Sequence, residues 1–263
     1  MSDTDFTGQG VLITGGASGI GWATAAAFAA RGARVAIADL KADVAQSRAV
    51  ELGDGHIGLG GDVADEAACD RIVAATAEAF GRIDVLVNCA GIVDSFAPTV
   101  EQSGAAFKRL MDIHVGGSFQ MAKRAAVEMI PRKHGVIVNI SSIAGALALP
   151  RRNAYTAAKH GLIGLTKALA CDWAEHRIRV NAVAPGYVDT PFIAGAIEAG
   201  RLDPAIIRRR TPMGELLPPS AIADAIIFLA SPLAAWVTGA TLPVDGGYVA
   251  FGAASDAAVI EGG

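Results

Sequence analysis

The sequence predicts an α/β fold, a three-layer, doubly wound arrangement around a seven-stranded parallel sheet. Short β-branched runs alternate with longer Ala-rich segments of helical period, the pattern of strand–helix units. Hydrophobic residues make up 52% and charged residues 18% of 263, evenly along the chain, which is enough to bury a substantial core and too apolar for disorder. No Pro/Gly/Ser-rich linker and no repeat of solenoid length divides the chain, so residues 1–263 are expected to form one domain.

The first strand, 10–14, is the run Val11-Leu12-Ile13, and its glycine-rich turn opens a helix near Gly19. Val35-Ala36-Ile37 mark the second strand, 34–39, followed by a helix near Lys41. A weaker run at 56–60 is the third strand, with a helix near Asp65 after it. Val85-Leu86-Val87 give the fourth, 85–88, and its helix is expected near Glu101. The fifth, 136–141, leads to a long helix that begins near Asn153. The sixth, 179–184, precedes residues 190–219, which break the alternation and read as a helical excursion suited to a substrate lid. A helix near Ser220 and a strand at 241–244 close the pattern. In such sheets ligands sit beyond the carboxyl ends of the strands, where the winding reverses.

The formal net charge of −4 argues against a surface dedicated to gripping nucleic acid. The one basic cluster, Arg208-Arg209-Arg210, falls at the end of an expected helix, where it complements the dipole. No apolar stretch reaches the ~18 residues of a membrane span, and residues 1–8 lack the pattern of a secretory signal. A cytoplasmic chain without membrane contact is the expectation. Cys69, Cys89 and Cys171 are odd in number, far apart and outside any CxxC arrangement, which suits reduced thiols. The five histidines form no ligand-like cluster, so no metal site is expected.

The segment Thr14-Gly15-Gly16-Ala17-Ser18-Gly19-Ile20-Gly21 joins a strand to a helix. Gly15, Gly19 and Gly21 there supply a tight turn, a close approach to a pyrophosphate and close packing of helix on strand, with Ser18 and Ile20 between them. Asp39 ends the second strand about 20 residues further on, where a carboxylate accepts from adenosine ribose hydroxyls and repels a 2′-phosphate. With no Arg or Lys at 15–18 and only Lys41 nearby, the pattern favours NAD over NADP. Asp62 and Val63 after the third strand, and Asn88, Ala90 and Gly91 after the fourth, are candidates to border the adenine and its ribose. Each feature alone has a purely structural explanation; together they place small and polar residues on one rim.

Tyr155-Thr156-Ala157-Ala158-Lys159 opens the long helix, and the i,i+4 spacing puts Tyr155 and Lys159 on one face. A nearby ammonium is expected to lower the phenol's pKa from ~10 toward working pH, fitting Tyr155 for general acid and base work. Ser141 and Ser142, at the end of the fifth strand, are competing candidates to hydrogen-bond the substrate oxygen, on opposite faces of the strand.

The chain here resembles the short-chain dehydrogenase/reductase (SDR) family over nearly its whole length, with matching segments at 14–21, 88–91, 138–142, 155–159, 185–186 and 244–247 in the family's order. The resemblance implies a Rossmann fold, NAD as cofactor, and hydride transfer between nicotinamide and a small-molecule secondary alcohol or ketone. It selects Ser142 to polarise the substrate oxygen, Tyr155 to transfer the proton, and Lys159 to orient the nicotinamide ribose. It assigns Pro185, Gly186, Val188 and Thr190 to the nicotinamide end, and suggests a homotetramer. One position departs: His114 stands where the family has an Asn that anchors a water relay from the lysine. Its imidazole either preserves that relay with a new pH dependence near ~6.5 or fills space.

Candidates for the substrate wall are Asp94, Phe96, Ala144, Leu149, Arg152, Asn153, Tyr187, Phe192 and Met213. Arg152 either grips a carboxylate bidentately or, beside Arg151, is a surface residue, and the second reading is favoured. The likeness of 211–214 and 244–248 to polyol-oxidising members favours a small polar alcohol, sugar alcohols included, ahead of hydroxy acids and cyclic alcohols. An NADPH-dependent ketone reductase and a non-catalytic dinucleotide sensor are the rival readings. Residues 248–263 either pack on a neighbouring subunit or fray.

Overall fold

The computed structural model describes residues 4–252. Seven strands pair in parallel in the order β3-β2-β1-β4-β5-β6-β7. They are β1 (Gly10–Thr14), β2 (Arg34–Asp39), β3 (Ile57–Gly60), β4 (Val85–Asn88), β5 (Gly135–Ile140), β6 (Ile178–Pro185) and β7 (Thr241–Val244). The winding reverses between β1 and β4, so the crevice opens beyond their carboxyl ends. Three strands differ from expectation by one residue, β3 at its start, Ile57, and β5 (Gly135 to Ile140) and β6 (Ile178 to Pro185) at both ends.

The helices are α1 (Gly19–Ala29), α2 (Ala42–Leu52), α3 (Glu66–Phe80), α4 (Gly104–Met111), α5 (Ser118–Met129), α6 (Asn153–Trp173), α7 (Pro191–Glu198), α8 (Pro204–Arg210) and α9 (Pro219–Ala230). The central strands are buried from end to end because helices cover both faces. Alternation along β1 sends Val11 and Ile13 into one core with Phe28, Val138 and Ile226, under α1 and α9. Leu12 points the other way, into a second core with Leu86, Met121 and Ile137, beneath α3 and α5.

The region between β4 and β5 corrects the expectation of one helix near Glu101. Thr99–Glu101 is a 3-10 turn, and α4 starts at Gly104, capped by Ser103, whose hydroxyl accepts from the Ala106 N–H. Asp112–Gly117 then winds as a π-helix into α5, accommodating an extra residue per turn as such segments do. A Cβ at Gly117 would lie 2.7 Å from Val63 Cγ2, so only glycine lets this segment approach the β3 loop so closely.

At the amino ends of the strands, fully buried Asp84 ties three of them together. It accepts from the Gly10 N–H (2.9 Å), from Arg82 (2.6 and 2.7 Å) and from Arg132 (2.8 Å). Its own N–H and C=O bond Gly10 and Val136. Burial opposes ionisation, yet Arg82, the Gly10 N–H and Arg132 together hold its carboxyl below the usual range.

Residues 190–219 do form a helical excursion, α7 and α8, with Arg208 to Arg210 in the last turn of α8. The three cysteines are free, with Cys69 buried and Cys171 exposed. Among the described residues no helix is long and apolar enough to cross a membrane. Residues 253–263 of the expected tail lie outside the described residues.

Candidate active site

A cleft of about 480 Å³ opens along the carboxyl ends of the strands. Its floor at one end is the turn after β1. Gly15 and Gly19 have φ of +63° and +52°, left-handed values that favour glycine. A Cβ on Gly21 would sit 2.1 Å from the Gly15 carbonyl oxygen, so Gly21 packs helix on turn, while Gly15, Ser18, Gly19 and Ile20 line the cleft. Asp39 lines it at the end of β2, accepting from the Ala17 N–H (3.1 Å) and the Leu40 N–H (2.8 Å).

Asp62 and Val63 also line the cleft. Partial burial works against the Asp62 carboxylate, but the Ala64 N–H and an ion pair with Arg109 hold its pKa below the usual value. Ala90 and Gly91 line the next stretch, and the hydroxyl of Thr14 accepts from the Cys89 and Ala90 N–H groups at 3.2 Å. Asn88 is a correction: its side chain is buried away from the cleft, donating to Asn139 Oδ1 (2.9 Å) and the Ser118 carbonyl (3.2 Å). Sequence position put it at a strand end, where side-chain direction rather than register decides access.

At the other end of the cleft stand Ser142, Tyr155 and Lys159. The Ser142 Oγ accepts from the Ala144 N–H (3.1 Å), and its hydroxyl is near enough to the Tyr155 phenol to favour the ionised form. Ser141 is bound elsewhere, donating to the Lys159 carbonyl (3.1 Å). Lys159 Nζ donates to the Ile140 carbonyl (2.7 Å) and lies 5.4 Å from the Tyr155 ring centroid. Burial pushes the lysine pKa down to about 8. The expected lowering of the phenol is not found: burial raises the Tyr155 pKa, against the lowering effects of the Ser142 hydroxyl and the Arg152 charge. Desolvation of the phenolate outweighs the cations around it.

His114 lies in the π-helical segment, 3% exposed. Its Nε2 is 3.0 Å from the Ile92 carbonyl oxygen and 3.1 Å from the Ile92 nitrogen, while Nδ1 is buried with no partner among the described residues. Burial, aided by the Lys159 charge, pushes its pKa down to about 3, which overturns the expected titration near ~6.5.

Pro185, Gly186, Val188 and Thr190 line the far wall. Thr190 also caps α7, accepting from the Ile193 N–H. Of the substrate-wall candidates, Leu149, Arg152, Tyr187 and Phe192 line the cleft. Asp94 instead accepts the Tyr155 N–H (2.9 Å), Asn153 donates to Thr99 and Gln102, Ala144 is buried in the core, and Met213 is 79% exposed. Phe96 sits beneath Arg152 rather than on the wall. Arg152 itself corrects the surface reading, being 7% exposed. Among the contributors missed are Arg109, Leu40, Ile92, Ile113 and Leu202, which line the cleft, and Arg48, whose Nε donates to the Ala17 carbonyl (3.1 Å). Arg109 and Arg48 bond partners 47 and 31 residues away, Asp62 and Ala17, beyond any local pattern.

Residues 15–249 match the family described as enoyl-(acyl carrier protein) reductase. An uncharacterized short-chain type dehydrogenase/reductase, y4vI of Sinorhizobium fredii, is 44% identical over 245 residues. The chain belongs to the short-chain dehydrogenase/reductase family.

The match covers 92% of this SDR chain and 44% of the y4vI protein, so the chain spans less than half of that relative's length. The cis-4-hydroxycyclohexanecarboxylate dehydrogenase of Sinomonas cyclohexanicum is 44% identical over 93% of this chain and 98% of its own. The D-threitol dehydrogenase of Mycolicibacterium smegmatis is 40% identical, covering 94% and 95%. Among solved structures, gox2181 superposes with a TM-score of 0.91 at 34% identity, covering 95% of this chain and 98% of that one. The SDR family uses a nicotinamide dinucleotide, and the named relatives are dehydrogenases acting on CH–OH groups.

Proposed function

We propose that this SDR is an NAD(H)-dependent dehydrogenase that interconverts a small polar secondary alcohol and its ketone. The convergence of Ser142, Tyr155 and Lys159 on one end of the cleft is the observation that carries the reading.

The cleft suits a dinucleotide. Side chains at Gly15 and Gly21 would strike backbone 2.8 and 2.1 Å away, so the turn keeps bare peptide facing the cleft as a pyrophosphate requires. Gly15, Ser18, Gly19 and Ile20 would hold the diphosphate, Asp39 the adenosine ribose, Asp62, Val63, Ala90 and Gly91 the adenine side, and Pro185, Gly186, Val188 and Thr190 the carboxamide end. The Asp39 charge supports NAD over NADP. Bound nicotinamide supplies the hydride acceptor for oxidation and the hydride donor for reduction.

The chain's own residues handle the proton. Ser142 orients the substrate oxygen toward Tyr155 Oη, which takes the hydroxyl proton in oxidation and returns it in reduction. Lys159, anchored on the Ile140 carbonyl, stays mainly cationic at neutral pH and presents its charge and N–H donors beside the phenol. Neutral His114 is a non-titrating link of the proton path, with Nε2 on the Ile92 peptide and Nδ1 open to a hydrogen bond.

We carry the remaining expectations with this reading: one catalytic domain over 1–263 with α7 and α8 as its lid, a cytoplasmic setting, and a homotetramer. Exposed Phe119 and Val127 on α5 and fully exposed Trp236 support contact with other subunits. The deciding experiment is Tyr155→Phe. Turnover should fall by roughly 10²- to 10⁴-fold while NADH still binds, and persistence of turnover would refute the reading.

A further inference from the structure

Arg152 caps the start of α6, three residues before Tyr155, and lines the same cleft end as Ser142. It is buried, and among the described residues its guanidinium pairs with no carboxylate; its Nε is buried without a hydrogen-bond partner. Its Cζ lies 4.7 Å from the ring centroids of both Phe96 and Tyr155. Ring faces attract the charge but offer no oxygen to its N–H donors. A guanidinium taken out of water is stable only when its donors are met, and the buried Nε has no partner among the described residues.

The surrounding charges sharpen the point. Asp94, two residues before Phe96, has its two oxygens occupied by the Ser95 N–H (2.8 Å) and the Tyr155 N–H (2.9 Å). Arg201 faces the same Phe96 ring at 5.9 Å, and Lys159 Nζ lies 5.4 Å from the Tyr155 ring centroid. In a chain of net charge −4, the substrate end of the cleft is therefore cationic. Leu149, Phe192 and Leu202 line it with apolar surface.

We propose that Arg152 anchors a carboxylate of the substrate, making the substrate class a secondary alcohol with an apolar carbon skeleton and an acid group. The fork of guanidinium donors matches a carboxylate bidentately, and the rings of Phe96 and Tyr155 hold that fork in place. The alcohol half of this statement rests on the proposed dehydrogenase reading; the carboxylate half does not.

Calorimetric titration of the full chain with cyclohexanecarboxylate and with cyclohexanecarboxamide, each with and without saturating NADH, tests it. These probes share a skeleton, differ in charge and cannot react. The unaltered protein should bind the acid at least roughly tenfold tighter than the amide, as a charge-assisted bidentate pair implies. Arg152→Gln should erase that preference with amide affinity changed less than about twofold, and Arg152→Lys, which keeps the charge without the fork, should retain only part of it. Equal affinities, no binding of either probe, or a preference that survives Arg152→Gln would overturn the proposal. If Arg152→Gln does not fold, the comparison of the unaltered protein with Arg152→Lys decides, since an unchanged preference in the lysine variant also overturns it. Failure of NADH to bind would sink the dehydrogenase reading and leave the carboxylate result standing, because half of the titrations omit the cofactor.

Discussion

The His114 imidazole meets the Tyr155 ring edge-on, with centroids 5.6 Å apart and planes at 89°. The imidazole is buried there, and the charges that act on it, those of Lys159 and Arg152, are both cationic. Its pKa of about 3 in the folded protein lies well below the 6.5 of an unhindered imidazole.

That difference predicts acid sensitivity. Between those two values the unfolded chain binds a proton that the folded chain refuses, so stability is complete above 6.5 and declines as pH falls. Acidification from pH 7 to pH 5 should cost about 2 kcal/mol at this site. His114→Asn should flatten the fall of Tm over that interval by a matching amount, and an unchanged slope would mean that the imidazole titrates in the folded state. The same neutrality predicts no inflection near pH 6.5 in the rate profile that His114→Asn removes.

Burial keeps the Tyr155 phenol protonated at neutral pH. Alcohol oxidation needs it as a base, so kcat/KM for oxidation should rise from pH 6 to pH 8, while ketone reduction, which needs the acid form, should not. Loss of the Lys159 charge should bend both profiles near its value of about 8. Profiles measured in both directions check this, and an oxidation rate that falls between pH 6 and pH 8 contradicts the assignment.

The Asp39 carboxylate should govern cofactor choice. Asp39→Ala should weaken NADH binding by roughly tenfold to a hundredfold, the loss of hydrogen bonds to a charged acceptor. Combining it with Leu40→Arg, at a side chain 67% exposed beside the cleft, should turn preference toward NADPH. Fluorescence titration with both cofactors reads the outcome, and continued NADH preference in the double variant counts against the ribose role.

Asp84 should matter for stability alone. Asp84→Asn leaves Arg82 and Arg132 without their shared charge; with those side chains 44% and 28% exposed, the loss is that of hydrogen bonds to a charged group, about 1.5–3 kcal/mol. Urea denaturation should show that loss. NADH affinity of the folded fraction should be unchanged, since Asp84 stands at the end of the sheet opposite the cleft.

Much of this was legible in the residues. The buried strands were found within one residue because runs such as Val136-Ile137-Val138 have no other economical home than a sheet covered on both sides. Gly15, Asp39, Ser142, Tyr155 and Lys159 were legible because each has a fixed place relative to a strand end or a helix turn. The π-helix at Asp112–Gly117 was not, since its composition is that of an ordinary helix and its close approach to Val63 is a tertiary contact. Nor was the burial of Arg152: two adjacent arginines read as solvated, but Arg151 takes a left-handed φ of +62° and is exposed, while its neighbour enters the cleft. The direction of the Tyr155 shift escaped because spacing reveals a neighbouring cation and says nothing of lost water.

The strand order also has a consequence in time. The lining of the cleft begins at Gly15 and ends at Leu202, and β4 joins β1 only after β2 and β3 have taken the other side. A ribosome delivering this chain from its amino terminus must expose half a crevice, and β4 as an unpaired apolar edge, until β5 and β6 emerge. Shelter for the growing polypeptide is needed longest over that interval.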